Sequence, residues 1–335
     1  MSKISQALKK VLLFSVIIAI ALFGAIKFID FQISQPLNIK HPQLLSVNSG
    51  TSFHQLASQL KKQGIIDTRL WLKSYVKLFP EMGNIKAGTY QITPSMNAKQ
   101  FLTLLRSGKE HQFSITFIEG STFKEWLNVL QQHPQITKQL KSTEYSDIAK
   151  QLALTQNHPE GLFFPDTYSF TANTSDVDIL KRANQKMMSE LNVSWKNRDT
   201  NLPYNTPYQA LIMASIIEKE SGQFAEHQLI SSVFVNRLYK KMRLQTDPTV
   251  IYGLGERYKG DIKRVHLKEK TAYNTYRING LPPTPIAMPG KSAIYAAMHP
   301  ESTDYYYFVS QGNGKHIFST NLKAHNKAVV KYQLN

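Results

Sequence analysis

Between Val11 and Ile29 the chain reads VLLFSVIIAIALFGAIKFI, nineteen residues in which Lys27 is the only charge. A helix needs about 20 apolar residues to cross a bilayer, and a lysine near one end reaches the headgroups along its own aliphatic stem. Such a run must be buried in lipid or in a large core, and helices of soluble cores are shorter and more amphipathic. Lys3, Lys9 and Lys10 precede it, so the positive-inside rule keeps the N-terminus in the cytoplasm and exports the remainder. A cleaved signal peptide is the competing reading. The residues that follow, DFQISQPLN, offer no A-x-A-like cleavage site, which favours an uncleaved anchor. The sequence therefore predicts a cytoplasmic tail over 1–10 and a transmembrane anchor over 11–29.

Lys and Arg number 40 against 23 Asp and Glu, a formal charge of +17. A surplus of this size favours an anionic partner: nucleic acid, lipid headgroups or an acidic polymer such as a cell wall. The anchor argues against nucleic acid, because it places most of the chain away from DNA. With no cysteine, disulfide frameworks and cysteine-based metal sites are excluded. The ten histidines include His299, His316 and His325 but form no H-E-x-x-H or close ligand pair, so no metal is expected. Neither a G-x-S-x-G elbow nor a glycine-rich phosphate loop is present, and no cofactor is expected.

Residues 30–43, ending near PLNIKHP, read as a linker. From 44 to 110 the pattern predicts a small α+β module: an apolar strand before Gly50, a helix capped by Thr51 or Ser52, further helices in WLKSYVKLF and AKQFLTLLRSG, and a strand in IKAGTYQI. G-[ST]-[ST]-F occurs twice, at Gly50–Phe53 and Gly120–Phe123, as though one strand-turn-helix device were used twice. Residues 111–335 read as a larger mixed α/β domain, with helices from Asp176, in LIMASIIEKE and in AEHQLISSVFVNRLYKK. The irregular stretch 245–291 is long enough to be a functional surface.

Candidate chemistry gathers in LIMASIIEKESG, Leu211–Gly222. Thr206 can cap this helix, Pro207 suits its first position and Gly222 its stop. Glu218 and Glu220 stand in the last turn, two apart and pointing different ways. There the macrodipole disfavours negative charge, and apolar neighbours raise a carboxyl pKa further. A glutamic acid that keeps its proton near neutrality suits general-acid cleavage of a glycosidic bond. The bland alternative is a solvated helix end, with the acids paired to Lys219, Arg237 or Arg243. The residues alone barely rank the two; small Ala214 and Ser215 favour Glu218 slightly.

ASIIEKES, VFVNRL, MRLQTDPTVIYG, AYNTY, GLPPTPIAMPG and HIFSTNLKAHN occur in order, and EGLFFPDTY lies upstream of them. Together they resemble the MltG (YceG-like) endolytic murein transglycosylases from about residue 44 to 330. The resemblance implies a LysM-like character for 44–110 and a catalytic domain over 111–335. It implies an inner-membrane lyase, its catalytic domain in the periplasm, that cuts the MurNAc-GlcNAc β-1,4 bond within peptidoglycan strands and leaves a 1,6-anhydroMurNAc end. Its catalytic glutamate falls on Glu218, with Glu220 in support and with Gln245, Thr246, Asp247, Asn274, Tyr276 and His316 along the glycan cleft. Because the substrate's own C6 hydroxyl attacks, one acid suffices where hydrolytic glycosidases use two. The resemblance also suggests trimming of growing strands beside peptidoglycan synthases. Met288 and Ala324 depart from the family pattern, which bears on the late loops. A hydrolytic muramidase, with Asp247 or Glu220 activating water, and a non-catalytic wall-binding protein are the alternative readings.

Overall fold

The computed structural model describes residues 3–333; the outer ends of the expected tail and catalytic domain, 1–2 and 334–335, lie outside them. The chain forms two compact units, Met1–Phe113 with Phe170–Ala172, and Ser114–Ser169 with Asn173–Asn335.

The first unit begins with α1, Lys3–Ile33. Its segment Gln6–Ile33 is long and apolar enough to cross a membrane and fits a single-pass anchor. Then come β1 (Gln43–Val47), α2 (Phe53–Lys62), α3 (Leu70–Leu78), β2 (Gly88–Ile92) and α4 (Ala98–Ser107). Strands β1 and β2 pair antiparallel, with Leu45 opposite Tyr90, and their inner faces pack on Leu56, Leu60, Phe101, Leu102 and Leu105. Ser52 caps α2 and Asn97 caps α4, each in a reciprocal capping box, so two orphan donors are satisfied at each start. The expected linker over 30–43 is corrected here. The helix runs on to Ile33, and Ile33, Leu37 and Ile39 are buried in the module core, because a segment polar in overall composition still places apolar side chains inward.

Strand β3 (Phe113–Thr116), which enters the second unit at Ser114, pairs with β4 (Thr167–Phe170), which leaves it after Ser169. Between them lie α5 (Phe123–Gln132), begun by a Thr122–Glu125 capping box, and α6 (Tyr145–Gln151). After α7 (Asp176–Lys196) comes α8 (Pro207–Glu220), followed by α9 (His227–Tyr239), α10 (Asp247–Leu254), α11 (Arg264–Lys268) and α12 (Lys291–Met298). The chain then forms an antiparallel hairpin of β5 (Tyr307–Ser310) and β6 (His316–Ser319), and closes with α13 (Leu322–Gln333). Helix α8 is central: α7, α9, α10 and α12 all pack on it, and every side chain from Ala210 to Ile217 is buried. A helix apolar on all sides belongs in a core, and here it carries two acids out at its C-terminal end. Met288 is fully buried as well, so this departure from the family pattern is a packing residue.

Candidate active site

Thr206 and Pro207 set the start of α8: the Thr206 side chain accepts the Gln209 N–H at 3.2 Å, and Pro207 takes the first turn. The stop differs from expectation. Ser221, not Gly222, ends the helix by turning extended at φ −146°. Buried His227 pins this exit, its Nε2 2.8 Å from the Ser221 carbonyl oxygen and its Nδ1 3.0 Å from Ser292 Oγ. Neither glutamate forms an ion pair with Lys219, Arg237 or Arg243 among the described residues.

At about 100° per residue, Glu218 and Glu220 leave α8 in opposite directions. Glu218 turns to the loop ahead of α12, where its Oε2 accepts the Gly290 N–H at 2.9 Å. Glu119 lies against the same glycine: a side chain at Gly290 would collide with its carboxylate. The turn Ile118–Ser121, which runs into the second G-[ST]-[ST]-F segment, is bound to this loop by Gly120 N–H to the Met288 oxygen and Met288 N–H to the Ser121 oxygen, both 2.8 Å. Burial pushes the Glu218 carboxyl up to about 7, against the Gly290 hydrogen bond and with the help of the Glu119 charge. The Lys219 charge also opposes the shift.

Glu220 turns the other way. Thr246 Oγ1 donates a short hydrogen bond to its Oε1, and burial pushes its pKa up to about 7; the Thr246 bond opposes the shift, nearby Asp247 adds to it and Arg237 opposes it. Together with Gln245, Thr246, Asp247, Tyr276 and His316, Glu220 lines a cavity of about 510 Å³. Glu218 does not line it. Gln245 holds φ +52°, in the left-handed region, and this unusual turn delivers Thr246 and Asp247 to the cavity. Tyr276 Oη donates to Asp247 Oδ1 at 2.7 Å. His316 is fixed by Glu226, with Nδ1 2.8 Å from Oε2 and the His316 N–H donating to Oε1 at 3.0 Å.

Asn274, expected along the cleft, is buried beneath it. Its Nδ2 donates to the carbonyls of His266, Leu267 and Glu269 at the end of α11, and its Oδ1 accepts the Tyr276 N–H at 3.0 Å. An amide that satisfies orphan helix carbonyls has no donor left for sugar; Asn274 positions Tyr276.

Three other residues enter the site from distant segments. Arg237 Nε and Nη1 donate to the carbonyls of Tyr306 and Leu244, while its guanidinium lies over the Tyr307 ring, 5.2 Å from the centroid. His325 of α13 stacks on the other member of this group, its ring 5.2 Å from that of Tyr307. Burial and Arg237 lower its pKa, and its buried Nδ1 has no hydrogen-bond partner among the described residues. A cavity lined by carboxyls, imidazoles, hydroxyls, an arginine and aromatic rings offers hydrogen-bond partners and ring faces to a polyhydroxy ligand.

A model of the YceG-like family matches residues 45–331. The chain belongs to the YceG-like family. A Bacillus subtilis protein named endolytic murein transglycosylase is 35% identical over 309 residues, covering 86% of this chain and 84% of its own. A Streptococcus pneumoniae protein of the same name is 24% identical over 348 residues, with 92% of this chain but 62% of the relative covered. A crystal structure of a yceG-like protein from Listeria monocytogenes, 31% identical, superposes with a TM-score of 0.54 over 87% of this chain and all of that one.

One further acid in this YceG-like chain bears on stability. Glu160, of EGLFFPDTY, is buried at the start of α5, where Oε1 accepts the Phe123 N–H at 2.9 Å and Oε2 the Tyr252 hydroxyl at 3.1 Å. Burial outweighs both bonds and pushes its pKa from an ordinary 4.5 to about 8. Between these values the folded state holds a proton that the unfolded chain has lost, so this group's stabilisation falls as pH rises from 4.5 and is gone above 8. Glu160→Gln keeps the shape without the titration. Its melting temperature should match the native protein's near pH 4.5 and exceed it above pH 8; equal melting at both ends would refute the buried proton.

Proposed function

We propose that this chain is a membrane-anchored peptidoglycan lytic transglycosylase in which Glu218 is the catalytic acid and Glu220 a supporting one. The observation that carries the reading is the Glu218 carboxyl at the C-terminal end of α8, its proton held to about 7 by burial and its Oε2 oriented by the Gly290 N–H. Glu220, Gln245, Thr246, Asp247, Tyr276 and His316 line a cavity at the same end of the helix. The names of its Bacillus and Streptococcus relatives supply the substrate class.

Glu218 would protonate the oxygen of the MurNAc-GlcNAc β-1,4 link as the bond to C1 breaks. The C6 hydroxyl of the same MurNAc then attacks C1, and the Glu218 carboxylate takes the hydroxyl proton. One bond to C1 is lost and one gained, the acid regains its proton, and no water is consumed. Thr246 holds the supporting Glu220 carboxyl. Tyr276, Gln245, His316 and His325 would bind sugar hydroxyls and acetamido groups. Asp247 shares the cavity but is engaged by Tyr276, which weighs against its serving as the water-activating base of a hydrolase. With α1 as anchor and its basic flank inside, the catalytic unit lies in the periplasm, within reach of nascent strands made by membrane synthases.

The test is the chemistry of the product ends. Purified peptidoglycan digested by the full-length protein in detergent should yield internal cuts ending in 1,6-anhydroMurNAc by mass spectrometry. Reducing ends would make the protein a hydrolase, and uncut glycan a binder. Turnover also has an expected pH course: with Glu218 required protonated, kcat/KM should fall about tenfold per unit above a pH near 7. A rate flat from about pH 5 to 9 contradicts a protonated glutamic acid as catalyst.

A further inference from the structure

We propose that the outer face of α3, continued by Phe79, is an interfacial foot lying in the anionic headgroup layer of the bilayer that α1 crosses. The proposal rests on α1 being the membrane anchor, and its test separates the two ideas.

Three observations carry it. First, the anchor and the module are one rigid piece. Helix α1 continues without a break to Ile33, which is 1% exposed inside the module core, so the module is fixed at the level where the helix leaves the membrane. Second, α3 lies against that exit. The Phe28 ring meets Trp71 edge-on at 5.3 Å, and Asp30 is 2.9 Å from Lys99 Nζ, which sits 5.9 Å from the Tyr75 ring centroid. The apolar run ends at Ile29, so Trp71 stands at the depth where indole rings collect at membrane interfaces.

Third, the outer face of α3 has the composition of an interfacial helix. Leu70, Lys73, Ser74, Lys77 and Leu78 follow the i, i+3, i+4, i+7, i+8 spacing of one helical stripe, while Leu72 and Tyr75 face the core. Leu70 is 56% exposed, Leu78 42% and Phe79 39%. In water this would be an unpartnered apolar strip interrupted by two ammonium groups. In the headgroup region the leucines and Phe79 reach acyl chains while Lys73 and Lys77 meet phosphates. Residues 30–113 hold ten Lys and Arg against four Asp and Glu, a balance that favours an anionic lipid surface. The consequence for the enzyme is a module that lies down on the bilayer instead of swinging on a tether.

The absence of native cysteine permits single nitroxide labels. Full-length protein carrying Leu70→Cys, Leu78→Cys or Val16→Cys would be placed in nanodiscs of phosphatidylethanolamine with phosphatidylglycerol, and collisions with oxygen and with a water-soluble nickel chelate measured. At Leu70 and Leu78 oxygen collisions should exceed those of the chelate several-fold, with Val16 deeper still. Adding Lys73→Glu with Lys77→Glu should reverse the ratio at both foot positions and leave Val16 unchanged. Chelate-dominated collisions at Leu70 and Leu78 with Val16 in the lipid core would overturn the foot and keep the anchor. Labels sheltered from both reagents would mean that protein covers the face, which also overturns the proposal. A water-exposed Val16 would remove the anchor itself.

Discussion

Glu218→Gln should lower the rate of glycan cleavage by between about 10²- and 10⁴-fold, the range that a positioned general acid supplies. The substitution removes the transferable proton and little else. A glutamine Oε1 can still accept the Gly290 N–H bond made to Glu218, and the variant no longer has to bury an ionisable group. Its melting temperature should therefore equal or exceed that of the native protein, with the gap opening as pH rises from 4.5 and complete above about 7, because between these values only the unfolded chain has lost the proton. Glycan binding should persist, because Gln245, Tyr276, His316 and His325 are untouched. The expected outcome is a folded binder that does not cut, seen as pull-down by insoluble peptidoglycan without release of soluble fragments. A loss of less than about tenfold would show that another group supplies the proton.

The largest effect on stability is expected at Gly161. Its φ of +78° lies in the left-handed region, and a Cβ there would sit 2.3 Å from Pro285 Cβ and 2.5 Å from Pro285 Cγ. Gly161 follows buried Glu160, and Pro285 belongs to GLPPTPIAMPG, so the contact joins two segments far apart in sequence. Gly161→Ala meets both penalties: about 1–3 kcal/mol for the backbone and a further ~1–3 kcal/mol for overpacking. Melting should drop by about 10 °C for a domain of this size. Pro285→Gly in the same background removes the collision but not the backbone strain, and should restore part of the loss. An unchanged melting temperature in Gly161→Ala would mean that the two segments do not meet as described.

Several of these features were legible in the sequence, and the reason others were not is physical. The α8 start followed from Thr206 and Pro207, and the strand-turn-helix segments from Gly50 and Gly120 with their caps, because capping is local chemistry. The divergence of Glu218 and Glu220 also followed, from helical period alone. Which acid would face a cavity did not follow. That depends on what covers each side of α8: the Gly290 loop on one, and Thr246, the β5–β6 hairpin and α13 on the other, all folded in from distant positions. The same holds for Asn274, whose amide type suits sugar but whose position beneath α11 commits it to backbone carbonyls. Glu226 and Glu119 carried no local signal, since each acquires its role only by meeting His316 or Gly290. The segment after Ile29 misled through composition: its polar residues suggested a linker, while Ile33, Leu37 and Ile39 point inward.

The most direct test compares Glu218→Gln with Glu220→Gln on the same purified peptidoglycan, counting 1,6-anhydroMurNAc ends by mass spectrometry near pH 6. With Glu218 as the acid, the first variant should leave no new anhydro ends. The second should retain a readily measured yield, because a glutamine oxygen can still accept the Thr246 hydroxyl. Anhydro ends from Glu218→Gln, with none from Glu220→Gln, would contradict the assignment and move the chemistry to the Thr246 side of the helix.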